Sequence, residues 1–84
     1  MDFDAFWTTI KRTVLWDRLV RGMPFESLMV KKCFEGQNLD RTDYQILSDL
    51  LNRVPEDIKN SEQSIRIYLS HNGALKGVLR KTEK

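Results

Sequence analysis

Residues 3–23 constrain the fold most, because this stretch carries two apolar faces that one straight helix cannot bury in one core. At about 100° per residue, its large apolar side chains divide into two sets that point in nearly opposite directions. The first set is Phe3, Phe6, Trp7, Ile10 and Val14, and the second is Leu15, Trp16, Leu19, Val20 and Met23. Either the helix bends near residues 11–14, so that both halves pack on the same core, or one face is left for a partner.

Charged residues and one glycine predict where this first helical stretch begins and ends. Asp2 and Asp4 suit the positive end of a helix, and either carboxylate can cap it. Arg18 and Arg21 fall in the last turn, where cations are favoured. Gly22 then supplies a left-handed stop. We therefore expect helical structure from the first residues to about Arg21.

Two further helices are predicted in the middle of the chain. Pro24 is placed to occupy the first position of the second helix, which we expect to end at Gly36. Asp40 is predicted to cap the third helix, with Asp43 three residues later in an arrangement like a capping box. Pro55 ends that helix, because the residue before a proline avoids helical geometry.

The segment after Pro55 is open to two interpretations. Ser61 is suited to cap a fourth helix, with Asn72 and Gly73 at its end. Apolar and polar residues alternate over residues 64–70, however, and Asn-Gly is a strong hairpin turn. Residues 74–81 do not alternate, which favours helix. The predicted fold class is therefore all-α, a small bundle of four to five helices; the alternative is α+β with a C-terminal β-hairpin, similar to a winged helix.

Length and composition favour a single helical domain spanning residues 1–84. Two Pro and four Gly are too few for a β fold with many turns. Apolar residues make up 40% of the chain and charged residues 31%, which is typical of a globular domain. A net charge of +2 does not demand a nucleic-acid or membrane partner. No apolar run reaches the 18 residues or so of a membrane-spanning helix, so we expect no membrane association.

The residue types that carry catalysis are sparse. Cys33 is the only cysteine and His71 the only histidine. We interpret Cys33 as a small buried apolar side chain and His71 as a cation near a helix end. Phosphate-binding glycine motifs and the EF-hand spacing are absent. We therefore expect a non-enzymatic protein with no catalytic residue, metal site or cofactor. A lone cysteine and no visible signal peptide suggest the cytoplasm.

The leading functional hypothesis is a small binding or adaptor protein that acts through the apolar face of its first helix. Aromatic side chains dominate the energetics of protein interfaces, and this face is rich in them. We expect the amino-terminal half of the first stretch to protrude and to be covered by a second copy in a dimer, or by a different protein. The predicted contact residues are Phe3, Phe6, Trp7, Ile10 and Val14.

The alternative hypothesis is a small nucleic-acid-binding regulator that uses residues 61–84. A helix-turn-helix or winged-helix arrangement would present polar side chains near residue 61 to a groove of the nucleic acid. The segment from residue 76 to Lys84 is also basic. Glu56 and Asp57 count against this hypothesis, since they would repel phosphates. The candidate contact residues are Gln63, Arg66, Lys76, Arg80 and Lys81.

Overall fold

Residues 1–82, as described by a computed structural model, form six α-helices and no strand. The helices are α1 (Phe3–Arg12), α2 (Val14–Arg21), α3 (Ser27–Cys33), α4 (Arg41–Asn52), α5 (Glu62–Ser70) and α6 (Gly73–Lys81), and a 3-10 turn over Glu56–Ile58 lies between α4 and α5. The all-α prediction is confirmed. The hairpin and winged-helix alternative is wrong, because the region assigned to it forms α5 and α6.

The first helical stretch is two helices separated at Thr13, which explains why there are more helices than the four to five predicted. Thr13 has an extended backbone, with φ −114° and ψ 177°. Its hydroxyl accepts a hydrogen bond from the Leu15 amide and donates one to the Thr9 carbonyl at 2.8 Å. The threonine thus caps α2 while ending α1. Of the two alternatives that the sequence left open, the structure has the bend near residues 11–14.

The break at Thr13 brings both apolar faces of this stretch to one core. Four side chains, two from each helix, have no exposed surface: Phe6, Ile10, Leu15 and Leu19. The Trp7 ring meets the Trp16 ring edge-on, with centroids 5.7 Å apart. Phe6 stacks on Phe34, just after α3, at 5.5 Å. Each half therefore packs on the same hydrophobic cluster from its own direction.

Helix α3 begins later than expected, at Ser27, so the prediction that Pro24 opens it is wrong. Glu26, just before α3, has an extended backbone, with φ −108° and ψ 147°, and the Asn52 side chain bonds to the backbone of Phe25. The Phe25 amide donates to Asn52 Oδ1 at 2.7 Å, and Asn52 Nδ2 donates to the Phe25 carbonyl at 3.0 Å. Helix α3 ends at Cys33, before rather than at Gly36, whose φ of 94° turns the chain.

The capping predictions for the later helices are mostly confirmed. Asp40 and Asp43 form a capping box at the start of α4, and the Ser61 hydroxyl accepts from the Ser64 amide at the start of α5. Asn72 was expected at the end of a helix. It instead begins α6, where its side chain accepts from the Leu75 amide at 3.0 Å.

Candidate protein-binding surface

The contact residues predicted on the first helix belong to this chain's own core. Phe6 and Ile10 are completely buried and Trp7 is 7% exposed. Phe3 is half-buried and stacks on Trp7, with ring centroids 6.4 Å apart. The prediction that these four side chains form an exposed strip is therefore wrong, because α1 turns its apolar face inward. Only Val14, at the start of α2, is largely exposed.

The outward face of α3 carries an exposed leucine between two grooves. Leu28 is 60% exposed and lines both grooves, which have volumes of about 260 and 310 Å³. The first groove, toward α4, is lined by Ser27, Leu28, Lys31, Leu39, Arg41 and Tyr44. The second, toward α2, is lined by Val14, Glu26, Leu28, Met29, Lys32 and Cys33. We call Leu28 and these two grooves the α3 surface.

The helical geometry of α3 explains why Leu28 points away from the core. Val30 is completely buried and Phe34, one turn later, is 2% exposed, so these two side chains fix the inner face. Leu28 lies about 160° around the helix from Val30. Sequence reasoning missed this residue, because the spacing of apolar residues does not show which side of α3 faces the core.

Cations flank the apolar part of the α3 surface. Lys31 and Arg41 line the first groove, and Lys32 lines the second together with Glu26. None of these three cations forms an ion pair within residues 1–82, where the five pairs that occur use other lysines and arginines. Glu35, beyond the end of α3, lines neither groove. The α3 surface therefore combines the exposed side chain of Leu28 with three cations that form no ion pair within residues 1–82.

Tyr44 fixes the end of α3 against α4. Its hydroxyl donates to the Phe34 carbonyl at 3.3 Å. Burial, and then the negative charges of Glu35 and Asp43, raise the pKa of Tyr44. The phenol is a hydrogen-bond donor at neutral pH, and this bond ties a residue that lines the first groove to the backbone just after α3.

Two cations of the nucleic-acid hypothesis are paired within the protein. Arg66 donates to Asp4 at 2.8 Å, and its guanidinium lies 5.3 Å from the centre of the Phe3 ring. Lys81 donates to the buried Asp43 at 2.8 Å. These side chains join α5 to α1 and α6 to α4, so both have a structural role in the folded protein.

The remaining residues of that hypothesis are exposed. Lys76 and Arg80 lie one turn apart on α6 and line a groove of about 260 Å³ that also includes Asp2. Gln63 is exposed on the first turn of α5 and does not line that groove. Lys84 of the predicted basic segment lies outside the described residues. The structure therefore brings together two of the five predicted contact residues, with a carboxylate beside them.

Cys33 and His71, the two residues considered for catalysis, lie on different elements, Cys33 at the end of α3 and His71 just after α5. Cys33 is half-buried, not fully buried as expected, and lines the second groove. His71 is exposed and ends α5, as predicted. No group of three or more His, Cys, Asp or Glu side chains in this part of the chain is placed to hold a metal ion. None of the described helices is both long enough and apolar enough to cross a lipid bilayer.

Comparisons with protein-family models, with curated proteins and with solved structures gave no match for this chain.

Proposed function

We propose that this chain is a non-enzymatic adaptor or regulatory domain that binds another protein through the α3 surface. The observation that carries the proposal is Leu28, a leucine with 60% of its surface exposed between two grooves. Covering such a side chain contributes roughly 25 cal/mol for each Å² of apolar area removed from water. The flanking cations supply a polar rim, which is typical of a protein interface. The cytoplasm suits such a protein, since it would keep the groove-lining thiol of Cys33 reduced.

Other exposed apolar residues fit this role less well. Val20, Met23 and Ile67 are between 43% and 49% exposed, but none of them lines the two grooves beside α3 or the groove on α6. Apolar side chains that are exposed singly are ordinary on protein surfaces. Leu28 differs because the grooves beside it give a partner's side chains somewhere to pack.

A different protein fits the α3 surface better than a second copy of this chain. In a symmetric dimer the same patch meets itself, so each cation would be present twice in one interface. Each copy would then bring three groove-lining cations, Lys31, Lys32 and Arg41, but only one groove-lining carboxylate, that of Glu26. That repulsion disfavours the self-association expected from the sequence.

Nucleic-acid binding is the weaker proposal for this chain. Arg66 and Lys81 would have to leave Asp4 and Asp43 before they could contact phosphates. Lys76 and Arg80 would remain, but two cations beside Asp2 supply little of the phosphate neutralisation on which such binding depends.

Peptide selection tests the proposed function even though the partner protein is unidentified. Random peptides would be displayed on phage and selected against the wild-type protein, and the enriched peptides would be titrated against Leu28→Ser and Ile67→Ser. Both residues are exposed, so neither substitution should change stability by more than about 0.5 kcal/mol. We expect Leu28→Ser to weaken binding by about tenfold or more, and Ile67→Ser by less than about twofold. The proposal fails if no peptide is enriched, or if the enriched peptides bind Leu28→Ser as tightly as wild type.

A further inference from the structure

We propose that the partner segment seated on the α3 surface is an acidic amphipathic helix of another protein. This inference rests on the proposed function and adds the chemistry of the partner. The shape of the surface points to a helix, and its charge points to acidic residues on that helix.

The shape is that of a ridge with a groove on each side. Leu28 forms the ridge, and the grooves toward α4 and α2 run beside it. Helices pack by placing the side-chain ridges of one into the grooves of the other. Apolar side chains at positions i and i+4 of a partner helix are about 6 Å apart, which lets them straddle Leu28. No strand occurs in residues 1–82, so these residues present no sheet edge to which an extended peptide could add.

The charge around the ridge is predominantly positive. Three cations line the two grooves against the single carboxylate of Glu26. Lys31, Lys32 and Arg41 are exposed and have no ion-pair partner in the described chain, so they can meet carboxylates without breaking an internal contact. Charges at the rim of an interface select partners and accelerate association more than they add affinity. A helix with apolar anchors and acidic flanks therefore complements this surface, whereas a basic helix is repelled.

Two synthetic peptides of equal length test this inference. Both carry leucine at positions i, i+4 and i+7 on an alanine-rich helical background; one has glutamate at the flanking positions and the other has lysine. Isothermal titration against the full chain at low salt is expected to give at least tenfold tighter binding of the glutamate peptide. At 1 M salt the Debye length falls to about 3 Å, so the difference between the peptides should narrow.

Matched charge variants test whether the preference for the glutamate peptide comes from the α3 surface. The double variant Lys31→Gln with Lys32→Gln removes two cations from the α3 surface, whereas Lys76→Gln with Arg80→Gln removes two from the groove on α6. All four side chains are exposed, so both variants should fold. We expect the first variant to bind the glutamate peptide about fivefold more weakly or worse, and the second to change binding by less than twofold.

The outcomes separate this inference from the proposed function. If both peptides bind equally and Leu28→Ser weakens both, the acidic preference is wrong but the α3 surface is still a binding site. If neither peptide binds and phage selection also enriches none, both proposals fail. If the wild-type chain is a dimer that Leu28→Ser converts to monomer, the occupant is a second copy and the inference of an acidic helix from another protein is overturned.

Discussion

Asp43 is a buried residue that takes part in the capping box of α4 and forms an ion pair with α6. Its carboxylate is 2% exposed, accepts from the Asp40 amide at 3.2 Å, and pairs with Lys81 of α6. The hydrogen bond from Lys81, opposed by burial and assisted by Asp40, lowers the pKa of Asp43 below its ordinary value. The capping role was predictable from the spacing of Asp40 and Asp43. The pairing with Lys81 was not, because 38 residues separate the partners and only the fold brings them together.

Replacing Asp43 by Asn is expected to destabilise the protein by about 1 kcal/mol at pH 7, because the charge that pairs with Lys81 is lost. A lowered pKa in the folded state means that the charged carboxylate contributes stability above its ordinary pKa of 3.8. That contribution is lost as the pH falls through the lower, folded-state pKa. The free energy of unfolding, measured in urea, should therefore differ less between wild type and Asp43→Asn at about pH 2.5 than at pH 7. Asp49→Asn, at an exposed residue, is the control; a difference for Asp43→Asn that is independent of pH would contradict the assigned role of the charge.

At the scale of elements, local chemistry located most helix ends and long-range contacts decided the rest. Ser61 caps α5 as predicted, and Asp2, one of the two candidates at the start of α1, caps that helix. Each side chain accepts from an amide three residues away, so the signal is local. The prediction that Pro24 opens a helix is wrong, because the side chain of Asn52, 27 residues from Phe25, takes up both backbone polar groups of Phe25. The break at Thr13 could be predicted only in part. The opposed apolar faces left a bend as one of two alternatives. Thr8 and Thr9 lie inside α1, so residue type alone did not identify Thr13 as the cap.

Thr13→Ala tests whether the break is maintained by its cap. We expect a loss of about 1 kcal/mol in the free energy of unfolding, because alanine cannot accept from the Leu15 amide. Thr8→Ala, at an exposed position within α1, is the matched control and should be neutral or slightly stabilising, since alanine favours helix. Guanidinium unfolding of both variants measures the difference. If Thr13→Ala is more stable than wild type, α1 and α2 prefer to be one continuous helix and the explanation of the break is wrong.

At the scale of the whole molecule, one hydrophobic cluster takes up the aromatic residues that were expected to face a partner. The radius of gyration is 11.7 Å, close to the value of about 12 Å for a compact domain of this length. The expected protrusion of the amino-terminal half is therefore wrong. Sequence patterns identified which side chains are large and apolar, but not the direction of the core from α3. Finding Leu28 required the inner face of α3 to be known, and Val30 and Phe34 define that face only in the folded protein.

The measurement that tests the central claim most directly is a map of amide chemical shifts in ¹⁵N-labelled protein during titration with the glutamate peptide. We expect saturable shifts concentrated at Val14, at residues 28–33 and at Arg41, with little change along α1 or α5. Leu28→Ser should raise the peptide concentration needed for saturation by about tenfold or more, whereas Ile67→Ser should change it by less than about twofold. Shifts concentrated at Phe3, Lys76 and Arg80, or saturable binding that leaves residues 28–33 unchanged, would contradict the assignment of the α3 surface as the binding site.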